Sequence, residues 1–169
     1  MEPQCPNCRQ RYTQRIHRQG WFEHVLSVIC VYPFRCQLCT CRFRAMAWGH
    51  RYAKEHVDQR QLERFPVNCP ARFSVSQTRG PDLEGDATVT DLSMGGCGLA
   101  TRSMLEPGML LRLQIQTWED QQAVRVAPAV VRAVRPRVIG VEFLDIPPPE
   151  KQRLGQFVQS LFLINRGRR

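Results

Sequence analysis

The chain has 169 residues, a formal net charge of +9 and eight cysteines, and 43% of its residues are hydrophobic. That is enough apolar material for a core, in one domain or in a small module joined to a medium one. The positive excess falls in both parts of the chain, nine Lys/Arg against four Asp/Glu in residues 1–59 and fifteen against eleven afterwards, which excludes a single basic tail as its source. Bulk positive charge permits nucleic acid, a nucleotide or an anionic membrane surface as partner and selects none of them.

Six of the eight cysteines lie in the first 41 residues. Met1-Glu2-Pro3-Gln4-Cys5 opens no basic n-region with an apolar run behind it, and the longest apolar passage, Val25 to Phe34, is too short to span a bilayer. A reducing, cytoplasmic setting with no transmembrane segment is expected, where clustered thiols point to metal rather than disulfides. Cys5-Pro6-Asn7-Cys8 and Cys36-Gln37-Leu38-Cys39 are two CxxC pairs with 27 residues between them. Each such turn directs two sulfurs to one side. Four thiolates then complete a tetrahedral structural zinc site that leaves no open position for catalysis.

Cys5, Cys8, Cys36 and Cys39 are therefore the expected ligands, with Cys41 an alternative to Cys39 and Arg9, Arg35 and Arg42 near enough in sequence to offset the thiolate charge. Cys30 reads as a small buried hydrophobe. Residues 1–45 resemble a zinc ribbon, although Arg9 and Thr40 stand where ribbon knuckles often carry glycine. In so small a module, metal binding supplies on the order of 10 kcal/mol of folding free energy. His17, His24, His50 and His56 share no ligand spacing. Between the knuckles, Arg9, Arg11, Arg15 and Arg18 alternate with Tyr12 and Ile16 ahead of Trp21 and Phe22. This reads as a solvated strand face over a small core, with nucleic-acid binding as the rival.

Residues 46–59 are expected to form a linker helix that ends near Arg64, because Pro66 disfavours helical backbone at Phe65. From Val67 the pattern becomes one of short alternating segments. Candidate strands are Ala71–Gln77, Asp86–Asp91, Gly98–Ala100, Met109–Thr117, Gln122–Arg135 and Val138–Phe143. Gly80-Pro81-Asp82 and Glu106-Pro107-Gly108 mark turns, and Pro128 demands an edge, a bulge or a break. Six short antiparallel strands in so few residues predict a small barrel or sandwich. After Pro147-Pro148-Pro149, the apolar residues Leu154, Phe157, Val158, Leu161 and Ile164 recur at helical spacing, predicting a closing helix before the basic tail Arg166–Arg169.

Asp91-Leu92-Ser93-Met94-Gly95-Gly96-Cys97-Gly98-Leu99 packs a carboxylate, a hydroxyl and three glycines between apolar runs. Alone it reads as a hairpin turn. Its meaning changes when Arg60-x-x-x-Arg64 stands upstream, followed by Phe65-Pro66-Val67, a strand, Asp91-x-Ser93-x-x-Gly96, the turn at Glu106-Pro107-Gly108 and a late Gly140-Val141-Glu142-Phe143. Over residues 58–163 this succession resembles a PilZ domain. The resemblance implies a mainly β protein whose residues 60–169 form a six-stranded antiparallel barrel with a C-terminal helix. It also implies binding of the bacterial second messenger cyclic di-GMP.

On that resemblance, Arg60 and Arg64 hold phosphate and stack on or bond guanine edges. Asp91 accepts from guanine N1–H and N2–H, Ser93 adds a hydroxyl contact, and Gly96 leaves room for the ligand. No residue pattern suggests catalysis, since no histidine is placed by sequence to activate Ser93. The expected function is a non-enzymatic receptor that signals to a protein effector by reorienting the N-terminal module. The alternative is a zinc-ribbon regulator that binds nucleic acid.

Overall fold

The computed structural model describes residues 3–47, 62–75, 83–117 and 122–166. The chain divides into two units, Met1–Glu63 and Arg64–Arg169.

In the first unit, strands β1 (Thr13–Arg15), β2 (Val31–Cys36) and β3 (Arg42–Met46) form a three-stranded antiparallel sheet in the order β1-β2-β3. Helix α1 (Gly20–Val28) connects β1 to β2. Sequence reading placed no helix there. The turn after α1 is made by Cys30, half-buried at φ +60, whose backbone N–H donates to Ser27 O. Cys30 thus ends a helix rather than filling a core. The only buried residue of α1 is Glu23, which is 3% exposed. Its carboxylate accepts from the Gln19 backbone N–H at 2.6 Å and pairs with Arg42 at 2.8 Å and Arg44 at 3.2 Å. Arg42, expected to offset thiolate charge, is engaged with this carboxylate instead.

Strand β3 extends through Met46, and the rest of the stretch expected as a linker helix lies outside the described residues, as do Arg60 and the Gly80-Pro81-Asp82 turn. Leu62–Arg64 is not helical, so no helix reaches Arg64.

The second unit is a closed barrel of six antiparallel strands. They are β4 (Phe65–Val75), β5 (Leu83–Ser93), β6 (Gly96–Ala100), β7 (Leu110–Ile115), β8 (Val124–Val134) and β9 (Ile139–Phe143), in the order β4-β5-β6-β9-β8-β7. All six correspond to candidate strands. The largest difference is the start of β4 at Phe65, six residues before the expected Ala71, because pairing with β5 tolerates Pro66 and Pro70. Alternating residues fill the interior, with Val89, Leu92, Leu99, Leu113, Ile115, Val126 and Val141 all removed from solvent. Pro128 sits where the β7–β8 register shifts, a bulge position that requires no N–H from it.

Helix α2 (Pro148–Arg166) packs on the barrel through Leu154, Phe157, Val158 and Phe162. Phe162, rather than the expected Leu161, faces inward, and its ring meets Phe65 edge-on at 4.5 Å. Ile164 is exposed. Glu150 in the first turn accepts from the Arg125 backbone N–H on β8.

Candidate functional site

The stretch Asp91–Leu99 is a hairpin as well as a site. Strand β5 runs to Ser93, Met94 and Gly95 turn, and β6 begins at Gly96 opposite Ser93. The register then places Asp91 across from Gly98 on one side and Pro66 on the other. Strict alternation along β5 would point Asp91 inward with Ala87 and Val89. The register shift between Val89 and Asp91 makes Thr90 an extra residue, so Leu92 becomes the next inward side chain and Asp91 faces outward.

There the Asp91 Oδ1 accepts from Arg64 Nη1 at 2.9 Å, with both side chains 30% exposed. The two sequence motifs, 27 residues apart, are thus joined by one charge-assisted bond. Arg60 lies outside the described residues.

The other motif positions serve the hairpin. Ser93 is buried, its Oγ donating to Gly96 O at 3.1 Å and accepting from Gly95 N–H at 3.4 Å. A Cβ at Gly96 would overlap the Val141 carbonyl oxygen of β9, so the missing side chain leaves room for a neighbouring strand. Gly98 was not singled out by sequence, yet it bears directly on the carboxylate. A Cβ there would overlap Asp91 Oδ2 and stand 2.9 Å from Val138 Cγ1. Asp91 can lie over β6 only because Gly98 is bare. Cys97, beneath this pair, has its thiol pushed up to about 12, by burial first and by the Asp91 charge second, with Arg64 opposing. It stays a neutral, inert floor.

The model of one protein family, described as the PilZ domain, matches residues 58–160. The chain belongs to the PilZ domain family. Among solved structures, the PilZ barrel is similar to the Bacillus subtilis inhibitor of motility MotI/DgrA, at 22% identity and TM-score 0.53. That match covers 65% of this chain and 54% of the other, so this chain spans about half the length of MotI/DgrA. It is also similar to the MrkH–c-di-GMP complex from K. pneumonia, at 14% identity and TM-score 0.51, over 93% of this chain and 80% of that one. A third match is the Escherichia coli YcgR PilZ domain with c-di-GMP, at 17% identity and TM-score 0.46, covering 64% of this chain and 97% of that one. A search of curated proteins finds no match.

Ahead of the PilZ barrel, the first unit gathers four thiols. The sulfurs of Cys5, Cys8, Cys36 and Cys39 all lie within 4.8 Å of one another. Cys5 and Cys39 are 3.5 Å apart, as are Cys8 and Cys36. Tetrahedral Zn–S bonds of about 2.3 Å require sulfurs roughly 3.8 Å apart, so the donor set and its size fit zinc. Cys41 is outside the cluster, its thiol directed to the Arg42 carbonyl, which favours Cys39 over Cys41 as the fourth donor. His17 and His24 are exposed and take no part.

Arg9 and Thr40, each following the second cysteine of its knuckle, have φ of +57 and +61. The backbone therefore keeps the left-handed bend that glycine usually supplies, at the steric cost of a side chain. The thiols are electrostatically unequal. Burial pushes Cys5 up, but N–H bonds from Cys8 and Asn7 outweigh it and draw the thiol down to about 7. Cys36 is driven far above the ordinary range, chiefly by burial, with its thiol neighbours adding to the rise.

Proposed function

We propose that this PilZ protein is a non-enzymatic receptor for cyclic di-GMP, carrying a structural zinc on Cys5, Cys8, Cys36 and Cys39. The observation that supports it most is the Arg64–Asp91 ion pair, which brings the two motifs to one place on the barrel surface. Cyclic di-GMP offers phosphates and guanine acceptor edges to Arg60 and Arg64, and guanine N1–H and N2–H donors to Asp91. Each charge of the pair then exchanges its protein partner for a ligand group, so neither is left uncompensated. An exposed pair of this kind contributes at most about 1 kcal/mol, a small barrier to that exchange. Ser93 and Gly96 act by holding the hairpin that presents Asp91. Zinc, when bound, fixes the two knuckles to one another.

The segment from Arg60 to Arg64 leads into the barrel, so a ligand held by both arginines also acts on the connection to the zinc module and, through that, signals to a protein effector. Such coupling requires the ligand to favour one arrangement over others. Calorimetric titration of cyclic di-GMP, with zinc quantified in the same preparation, tests the reading. Arg60→Ala and Arg64→Ala should each weaken binding about 100-fold, roughly 2.7 kcal/mol. Ligand-induced compaction in solution scattering should vanish in both. Undiminished binding in Arg64→Ala refutes the site, whereas binding without compaction refutes only the relay.

A further inference from the structure

Helix α1 is turned inside out with respect to ordinary amphipathic packing. Its inward stripe is Glu23, Leu26, Ser27 and then Cys30, at positions i, i+3, i+4 and i+7. Its outward stripe is apolar: Trp21 is 77% exposed and Val28 82%, with Phe22, Val25 and Ile29 all more than half exposed. The ion pairs of Glu23 with Arg42 and Arg44 fix the helix in this orientation, so the exposure follows from how α1 is anchored. Arginines rim the apolar face. Arg18 bonds Ser27 Oγ at 2.8 Å, and the half-exposed Arg44 sits 5.8 Å from the Phe22 ring centroid.

Residues 3–47 contain seven arginines and a single carboxylate, and that carboxylate is the buried Glu23. The surface around α1 therefore carries no acidic side chain from these residues. Three of its five exposed apolar residues, Val25, Val28 and Ile29, neither stack on bases nor hydrogen bond. This does not suit a nucleic acid, and a protein would need a matching groove. A deformable, anionic, apolar phase accepts such a ridge as it stands.

We propose that α1 is a peripheral membrane anchor. Trp21, Phe22, Val25, Val28 and Ile29 enter the headgroup–acyl boundary of an anionic lipid surface, and Arg18 and Arg44 meet its phosphates. No described helix is long and apolar enough to cross a membrane, so the anchor would lie on the surface. The inference is independent of the receptor reading and is tested without cyclic di-GMP.

The full chain, loaded with zinc, is sedimented with vesicles of equimolar phosphatidylcholine and phosphatidylglycerol and with phosphatidylcholine alone. Binding is expected on the anionic vesicles only, weakening with salt as the charges are screened. In a Trp48→Phe/Trp118→Phe background, Trp21 emission should shift to the blue on binding. Val25→Glu/Val28→Glu alters two exposed side chains and should lower partitioning at least about tenfold, with zinc content unchanged. The proposal is overturned if anionic vesicles capture nothing at low salt. It is also overturned if the double variant binds them as well as the parent does. Self-association abolished by the same substitutions would assign the face to a second copy of the chain. Oligonucleotide binding by the parent that the same substitutions abolish, with no capture by anionic vesicles, would assign the surface to nucleic acid.

Discussion

Two glycines separate fold from ligand recognition at the residue scale. At Gly96 the obstacle to a Cβ is the backbone carbonyl of Val141, which cannot rotate away. At Gly98 the obstacles are two side chains, the Asp91 carboxylate and a Val138 methyl, which can. Gly96→Ala should therefore destabilise the barrel by about 1–3 kcal/mol, as overpacked sites do. Gly98→Ala should leave the melting transition nearly in place while displacing Asp91. Thermal unfolding alongside ligand titration distinguishes them: stability falls in the first variant, affinity in the second. Equal loss of stability in both would mean that Asp91 has nowhere to move. Asp91 and Arg64 were legible because their spacing follows a family pattern. Gly98 was not, since its importance depends on cross-strand register that brings it opposite Asp91. At Gly96 the sequence indicates that space is needed without saying that the Val141 carbonyl is what borders it.

At the scale of elements, the barrel strands were readable from alternation and turn residues, whereas α1 was not. The apolar positions Trp21, Val25, Leu26, Val28 and Ile29 do carry helical spacing. Trp21 and Phe22 were read with a strand face over a small core, and Val25 to Phe34 only as an apolar run too short to span a bilayer, because apolar residues are expected inside. What holds α1 is instead the long-range meeting of Glu23 with Arg42 and Arg44, which local sequence cannot announce. Burial pushes the Glu23 carboxyl up, but the Gln19 N–H and the two arginines outweigh it, so the group is held below its ordinary range. A carboxylate lowered on folding contributes stability that is complete above its unfolded value, about 4.3, and lost as pH falls through the lower folded value. Acid unfolding of the zinc-loaded protein, followed by α1-specific hydrogen exchange, should therefore lose a component in that acidic window. Glu23→Gln should remove this component at fixed zinc. An unchanged difference between the two proteins across that window would show that Glu23 does not anchor the helix.

For the whole molecule, the division at Glu63 and Arg64 separates two sources of stability. The barrel has an extensive apolar interior, while residues 3–47 have a small one of Ile16, Phe34 and Leu38 beside the cysteines. Chelation should then remove amide protection from β1–β3 and α1 while leaving β4–β9 protected, as hydrogen exchange would report. Loss of both together would mean that the units are not independent. Sequence separated these two regimes through cysteine clustering and strand alternation, but residues 48–61 between them lie outside the described structure. The bulge at Thr90 decides which face of β5 its neighbours take. Flattening that bulge with Thr90 retained would restore strict alternation through Thr90, turning Asp91 into the apolar interior and Leu92 out to water, whereas loss of Thr90 itself would leave both on their present faces. Within β5 the bulge is itself an inherited trait, because Val89 and Leu92, three positions apart, both face the core only while one residue between them stays unpaired.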